Sequence, residues 1–203
     1  MGGVLVSLNL ERCLRNFEKI GFSDVRRYVN KYHQHGIFGS LEGGQLDEED
    51  FYRELAQHCR SGVTKAEMRA AYVSILNEID PDLPEFLFRL IKDYRLYVLS
   101  NINPMCAEVF HHQLSRAGHP VEELFDRLFY SYRLKLQKPF PEIFRYVLEH
   151  IDAEPGEILF IDDSIQNLET ARQFGIKTAR MSPEDNLEEL TESFLTSARS
   201  EVL

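Results

Sequence analysis

The sequence predicts an α/β protein with a Rossmann-like core, built on an open parallel sheet into which a helical subdomain is inserted. Two observations support this fold class. In the second half of the chain, short continuous apolar runs alternate with helical patterns, as expected for parallel strands that helices cover on both faces. The first half shows helical spacing only. A length of 203 residues accommodates one such core with a modest insert.

Residues 10–82 form the predicted helical insert. Apolar residues recur at helical spacing from its start, at Leu10, Leu14, Phe17 and Ile20. Further along, Thr64 and Glu67 form the capping-box pattern that marks a helix N-terminus. The glycine-rich segment 36–44 predicts a loop between two of these helices.

Residues 1–9 and 83–203 form the predicted core. Its apolar runs predict strands at residues 96–99, 128–130, 158–161 and 176–179. Pro104 and Pro141 predict the starts of two helices between these strands, and Gly175 predicts the end of a third. Open parallel sheets bind ligands at the carboxyl ends of their strands, so we expect the functional residues there.

Two carboxylates, those of Asp162 and Asp163, follow the strand at residues 158–161. Adjacent carboxylates at the end of an apolar strand repel each other and lose hydration unless a cation lies near them. A hard divalent ion with oxygen ligands, Mg²⁺ above all, meets this need. A helix N-cap at either Asp is the competing interpretation, and the pair by itself does not decide between the two.

Ser100 and Asn101 follow the first predicted strand, and Lys138 stands before Pro139 ahead of the third. Ser100 and Asn101 offer hydroxyl, amide and main-chain donors for an anion, although both residues are also common in turns. A fixed cation such as Lys138 would neutralise a phosphoryl group beside a metal. Lys135 is a competing candidate, but Pro139 favours Lys138 because proline restricts the backbone of the residue before it.

Charge and cysteine content narrow the classes of function. The 23 Lys and Arg residues against 33 Asp and Glu residues give a formal net charge of −10, which disfavours binding to nucleic acid or to an anionic membrane. The 3 scattered cysteines lack a CxxC pattern and fit reduced thiols better than disulfides or a zinc site. We therefore expect a cytoplasmic protein, monomeric or homodimeric, whose partner is a small metabolite.

The order of these motifs resembles the haloacid dehalogenase-like superfamily, subclass I, in which a helical C1 cap is inserted into the core. The segments VLSNINP, QKPFPEIF and ILFIDDSIQNLETARQFGIKT are similar to the sugar-phosphate phosphatases typified by α-D-glucose-1-phosphate phosphatase, and FGSLEGGQLDEEDF is similar to a cap loop. The resemblance implies a Mg²⁺-dependent phosphatase that hydrolyses a small phosphorylated metabolite, with a sugar phosphate favoured, through an aspartyl-phosphate intermediate. A 2-haloacid dehalogenase, which uses no metal, is the alternative within the superfamily.

The resemblance also implies a role for each candidate residue. Ser100, supported by Asn101, would bind the transferring phosphoryl group. Lys138 would act in catalysis by stabilising the charge of the nucleophile and of the phosphate. Asp163 would be the principal Mg²⁺ ligand and Asp162 a second ligand, partly through water.

The chain departs from the family in its first motif, a strand that ends in Asp-x-(Asp or Gly)-Gly-Val. The matching residues here begin at x with Met1, and Gly2 would lend its main-chain carbonyl to the metal. The nucleophilic Asp and its central strand are therefore expected just upstream of Met1. Two explanations stay open: a start assigned at an internal Met, or a genuine short form that is a non-catalytic binding protein.

Gly2 also stands where many members of the superfamily have a second Asp, which protonates the leaving group. Because glycine has no side chain, the proton must come from another source, or the leaving group must be a good one. An anomeric phosphate, whose leaving oxygen is comparatively acidic, would satisfy the second condition.

Overall fold

The computed structural model describes residues 1–30 and 34–200 of the chain. Its first part is helical. The helices are α1 (Leu10–Lys19), α2 (Gly36–Glu42), α3 (Glu48–Leu55) and α4 (Lys65–Val73), with short 3-10 turns at Val25–Arg27 and Ala56–His58.

The second part alternates strands and helices. In chain order the elements are α5 (Leu83–Leu90), β1 (Tyr97–Ser100), α6 (Pro104–Arg116), α7 (Val121–Leu124), β2 (Arg127–Tyr130), α8 (Ser131–Leu134), α9 (Pro141–His150), β3 (Leu159–Asp162), α10 (Ile165–Gln173), β4 (Lys177–Arg180) and α11 (Leu187–Ser200). Within the part of the chain that the structure describes, no helix combines the length and the apolar character needed to cross a membrane.

The strands pair in parallel, which confirms the predicted α/β class. β1 pairs with β2, and β3 pairs with β4. The structure differs from the expected single open sheet, because among the described residues no strand lies between β1 and β3 to join the two pairs.

Strands β1, β3 and β4 begin and end one residue after the apolar runs that predict them. The polar residue that follows each run is still part of the ladder, with Ser100 opposite Tyr130 and Asp162 opposite Arg180. The reason is that the ladder is made by main-chain groups, which do not depend on side-chain polarity. Ser100 and Asp162 are therefore held by regular strand structure.

Two predictions in the helical part have opposite outcomes. The capping box of α4 is confirmed, since Glu67 Oε2 accepts a hydrogen bond of 2.8 Å from the Thr64 N–H and Thr64 Oγ1 accepts one of 3.2 Å from the Glu67 N–H. The predicted loop at 36–44 is wrong, because residues 36–42 form helix α2. Burial of one apolar face outweighs the low helix propensity of glycine. The buried residues of that face are Ile37, Phe38 and Leu41.

The hydrophobic core has two clusters. The larger one unites the helical part with β1, β2 and α6, and Phe38 of α2 lies at its centre. Rings packed on Phe38 at centroid distances of 5.1 to 6.1 Å belong to Phe17, Phe22, Phe51 and Tyr72. The smaller cluster lies beneath β3 and β4 and consists of Ile143, Phe144, Ala171 and Ile176. Helix α2 is thus firmly anchored against the half of the core that carries β1.

Candidate functional site

A buried ion pair joins the two strand pairs. Lys138 Nζ lies 2.6 Å from Asp162 Oδ2, and each side chain is 6% exposed. The same ammonium donates a second hydrogen bond of 2.9 Å to the carbonyl of Leu99 in β1. Lys138 therefore links the end of β1 to the end of β3. Lys135, the other candidate, is exposed and stands at a left-handed backbone position with φ of 56°.

Asp162 is fully engaged by donors from its own chain. Its Oδ1 accepts hydrogen bonds from the Ser164 N–H at 2.9 Å and from Asn167 Nδ2 at 2.8 Å. Burial alone would raise the pKa of the Asp162 carboxyl, but the Lys138 ammonium and the Ser164 N–H outweigh burial and lower that pKa. Asp162 is thus an ionised, fixed counter-ion for Lys138, and the helix N-cap of α10 is Ser164, not Asp162 or Asp163.

Asn101 clamps the segment that carries Lys138. Its Oδ1 accepts a hydrogen bond of 2.9 Å from the Lys138 N–H, and its Nδ2 donates one of 2.8 Å to the Lys138 carbonyl. Both polar atoms of the amide are therefore used to position the lysine. Ser100, directly before Asn101, is buried at 3% exposure, and its hydroxyl contacts the Asn101 carbonyl at 3.2 Å.

Asp163 lies against the main chain of the first residues. A Cβ added at Gly3 would stand only 2.4 Å from Asp163 Oδ2, and Gly3 has a φ of +81°. Only glycine combines that backbone conformation with so close an approach. The carboxylate of Asp163 and the backbone at Gly2 and Gly3 are consequently neighbours.

The oxygen donors at this point fit a hard cation such as Mg²⁺ in part. Asp163 and the adjacent main chain offer the ligand type that Mg²⁺ prefers. Asp162, by contrast, already accepts from Lys138, Ser164 and Asn167. Within residues 1–30 and 34–200 no three His, Cys, Asp or Glu side chains form a cluster that could hold a metal. A metal here would therefore need Asp163, main-chain oxygen and ligands from outside these side chains.

The main chain of Met1 enters the same region. Met1 is 8% exposed. Burial and, after it, the charge of Lys138 lower the pKa of its α-amino group to about 5, against the opposing influence of Asp162 and Asp163. The nitrogen of Met1 is thus close to the charged groups at the strand ends.

A cavity of about 100 Å³ connects these groups. From the α/β part and the first residues its lining includes Met1, Gly2, Ser100, Asn101, Lys138, Asp162, Asp163 and Asn167. The helical part contributes Gln34, Glu42 and Tyr72. The structure therefore brings all the residues singled out from the sequence to one cavity, together with polar side chains from a distant segment.

Glu42, at the end of α2, is the most unusual of those additional side chains. Desolvation raises the pKa of its carboxyl to about 7, and the hydrogen bond from the Tyr72 hydroxyl, at 3.3 Å, only partly opposes this shift. By contrast, burial raises the pKa of the Cys13 and Cys106 thiols to about 12, so neither is a nucleophile at neutral pH. Cys13, Cys59 and Cys106 are free thiols, as expected.

Comparison with known proteins identifies relatives along almost the whole chain. The model of the haloacid dehalogenase-like hydrolase family matches residues 3–175. D-ribitol-5-phosphate phosphatase from Bacteroides thetaiotaomicron is 34% identical over 182 residues, which cover 87% of this chain and 86% of that protein. A sesquiterpene phosphatase from Aspergillus oryzae is 30% identical over 179 residues, covering 87% and 84% of the two chains.

Solved structures agree with these sequence matches. A HAD family enzyme from Bacteroides thetaiotaomicron, in complex with magnesium and inorganic phosphate, superposes with a TM-score of 0.85 at 32% identity and covers 94% of this chain and 95% of its own. A HAD-like family hydrolase from Porphyromonas gingivalis superposes with a TM-score of 0.88 at 30% identity, with 96% and 94% covered.

Proposed function

This chain belongs to the haloacid dehalogenase-like hydrolases, and from that premise we propose that it is a Mg²⁺-dependent phosphatase acting on a phosphorylated sugar or sugar alcohol. The observation that carries the proposal is the buried Lys138–Asp162 pair beside Ser100 at the ends of parallel strands. A desolvated, fixed cation stabilises a transferring phosphoryl group more strongly than a cation in water does. The likeness to D-ribitol-5-phosphate phosphatase supports the substrate class.

Each residue has a distinct part in this proposal. The Ser100 hydroxyl donates a hydrogen bond to a phosphoryl oxygen, and the Lys138 ammonium neutralises charge on the phosphoryl group. Asn101 and Asp162 act by position, since both hold Lys138 at the end of β1. Mg²⁺, held by Asp163 with the Gly2 carbonyl, would supply further neutralisation of the phosphoryl oxygens when bound.

We place the nucleophile on an Asp joined directly to the nitrogen of Met1, as the family pattern requires. The burial of Met1 supports this placement, because any residue attached to its nitrogen enters the cavity beside Lys138 and Asp163. The carboxylate attacks phosphorus and forms an aspartyl phosphate, which water then hydrolyses. In both steps, the negatively charged phosphoryl group lies next to the Lys138 ammonium.

We further propose that residues 10–82 are the cap of this enzyme and that residues 1–9 and 83–203 are its core. In support, Gln34, Glu42 and Tyr72 from the first segment line the cavity that the strand ends form. A cap in this position limits the entry of water and reads the part of the substrate that leaves.

The test is phosphate release by a form of the chain in which a β-strand ending in Asp precedes Met1, with a matched form ending in Asn. The substrates are D-ribitol 5-phosphate and α-D-glucose 1-phosphate, with Mg²⁺ and after chelation by EDTA. We expect the Asp form to release phosphate only with Mg²⁺, and the Asn form to release none above background.

Three outcomes would contradict the proposal. No release by the Asp form from a panel of phosphorylated metabolites leaves the non-catalytic binding protein as the better reading. Halide release from 2-haloacids that persists in EDTA supports the dehalogenase. Equal release by the Asp and Asn forms refutes the covalent mechanism.

A further inference from the structure

The hydrolysis of an alkyl phosphate needs a proton donor for the leaving oxygen. An alcohol without an acidic hydroxyl departs slowly as an alkoxide, so protonation in the transition state accelerates its departure by about 10²- to 10⁴-fold. Gly2 has no side chain that could donate this proton, and Lys138 is committed to Asp162 and to the Leu99 carbonyl. The donor must therefore come from another side chain that lines the cavity.

Glu42 is held in a fixed position at the cavity. Its carbonyl accepts a hydrogen bond of 2.6 Å from Ser131 Oγ, which ties the end of α2 to the start of α8. The fully buried ring of Phe38, one helical turn earlier, anchors the same helix in the aromatic cluster. The main chain that carries the Glu42 side chain is therefore fixed by a hydrogen bond to Ser131 and by the packing of Phe38 in the core.

The surroundings of Glu42 favour a carboxyl group that exchanges its proton near neutral pH. The groups that face it are the Tyr72 hydroxyl from α4 and the Cys106 thiol from α6, both neutral at pH 7. Tyr72 donates to Oε1, so a proton on the carboxyl group would be carried by Oε2. Desolvation raises the pKa of Glu42 to about 7, so a substantial fraction is protonated when the substrate binds.

We propose that Glu42 is the general acid of the phosphatase, donating its proton to the leaving oxygen of the substrate from the helical side of the cavity. This inference rests on the proposed function. In the first step the nucleophilic carboxylate forms a bond to phosphorus, the bond from phosphorus to the substrate oxygen breaks, and that oxygen keeps the electron pair and takes the proton of Glu42. In the second step the Glu42 carboxylate takes a proton from water, whose oxygen bonds to phosphorus as the aspartyl oxygen leaves. Phosphate departs, and both carboxyl groups return to their starting states.

Gln34 carries a second, independent inference about the same side of the cavity. Its Nε2 donates a hydrogen bond of 2.8 Å to the Asn30 carbonyl, which fixes the orientation of the amide because a carbonyl only accepts. Its Oε1 is the buried side-chain oxygen that finds no partner among the described residues. An unpaired buried acceptor is costly. We infer that Gln34 Oε1 accepts a hydrogen bond from a hydroxyl of the substrate.

Two substrates that differ in their leaving groups test the role of Glu42. D-ribitol 5-phosphate leaves as a weakly acidic alcohol, whereas p-nitrophenyl phosphate leaves as a stable phenolate that needs no proton. Enzyme in excess over substrate, in the form with Asp before Met1, reports the first step alone. We expect Glu42→Gln to slow release of ribitol by about 10²- to 10⁴-fold and release of p-nitrophenolate by less than about 3-fold.

Controls separate this role from a structural one. Glu54→Gln, at an exposed position of α3, should leave both rates unchanged. The Asp form with Glu42 intact gives a measurement that needs no further substitution: the first-step rate with D-ribitol 5-phosphate should fall as pH rises through about 7, because the protonated acid is lost, whereas the rate with p-nitrophenyl phosphate should not follow this fall.

The outcomes distinguish the two levels of inference. Equal slowing of both substrates in Glu42→Gln, or the same pH dependence for both in the Asp form with Glu42 intact, overturns the general acid and leaves the phosphatase in place. No release of phosphate from either substrate by the Asp form with Glu42 intact refutes the phosphatase itself. For Gln34, we expect Gln34→Met to raise KM for D-ribitol 5-phosphate and to leave KM for p-nitrophenyl phosphate unchanged. An equal change for both substrates, or none, overturns the hydroxyl contact.

Discussion

Replacing Lys138 by Met tests the ion pair at the centre of the site. The variant keeps the length and apolar stem of the side chain and removes its charge. Asp162 Oδ2 loses its 2.6 Å contact with the ammonium, and the Leu99 carbonyl loses its 2.9 Å donor. Both are hydrogen bonds from a charged donor, which contribute about 1.5–3 kcal/mol each. We expect a loss of about 3–6 kcal/mol, in line with the cost of about 3–5 kcal/mol for removing one partner of a buried ion pair.

Urea denaturation of this chain measures that loss, followed by circular dichroism at pH 7 with a constant m-value as the criterion for a common unfolded state. Lys135→Met is the matched control, because it removes the same charge from an exposed position three residues away along the chain and should change stability by less than about 0.5 kcal/mol. If the two variants lower the free energy of unfolding by the same amount, Lys138 is not paired with Asp162 in solution, and the charge arrangement described above is wrong.

Two further substitutions probe local features. Gly3→Ala should destabilise the chain by more than Gly118→Ala in the same denaturation assay. Both glycines have a positive φ, of +81° and +90°, so both substitutions introduce a backbone strain of about 1–2 kcal/mol. A Cβ added at Gly3 would also stand 2.4 Å from Asp163 Oδ2, whereas a Cβ added at Gly118 would meet nothing within 4 Å. Equal losses would show that Asp163 does not contact the first residues. Thr64→Ala should cost about 1 kcal/mol, because it removes the acceptor for the Glu67 N–H at the start of α4; a thermal unfolding temperature identical to that of the wild type would contradict the capping box.

The residues of the candidate site could be identified from the sequence because they share a position in the pattern. Ser100 and Asp162 each follow directly after an apolar run, and the carboxyl ends of parallel strands meet at one edge. The structure confirms that these ends, with Lys138, line one cavity. The pairing of Lys138 with Asp162 could not be read from the sequence, because only the fold shows which of the two carboxylates faces the lysine.

Glu42 shows what sequence patterns conceal. The glycines around it predict a loop, since glycine is a poor helix former, and the actual helix α2 exists because Phe38 and Leu41 are buried in an aromatic cluster built from distant segments. The hydrogen bonds of Glu42, to Tyr72 and Ser131, join residues 30 and 89 positions apart in sequence. Contacts between residues so far apart in the chain produce no pattern in the sequence around Glu42. Two hints were available: Glu42 lies in the segment FGSLEGGQLDEEDF, which is similar to a cap loop, and Gly2 cannot donate a proton, so that an alkyl phosphate needs another proton source.

Because the core is divided into two clusters, the relative position of the groups in the candidate site depends on how the two clusters are connected. Ser100 and Asn101 stand at the end of β1, whose Val98 belongs to the larger cluster, and the carboxylates stand at the end of β3, whose Phe160 packs on the smaller one. Among the described residues, Lys138 connects the two sides through its hydrogen bonds to the Leu99 carbonyl and to Asp162, so the length of its side chain helps to set the distance between Ser100 and Asp162. A substitution in the smaller cluster, at Phe144 for example, is therefore expected to change the distance between Ser100 and Asp162 without replacing any residue that lines the cavity.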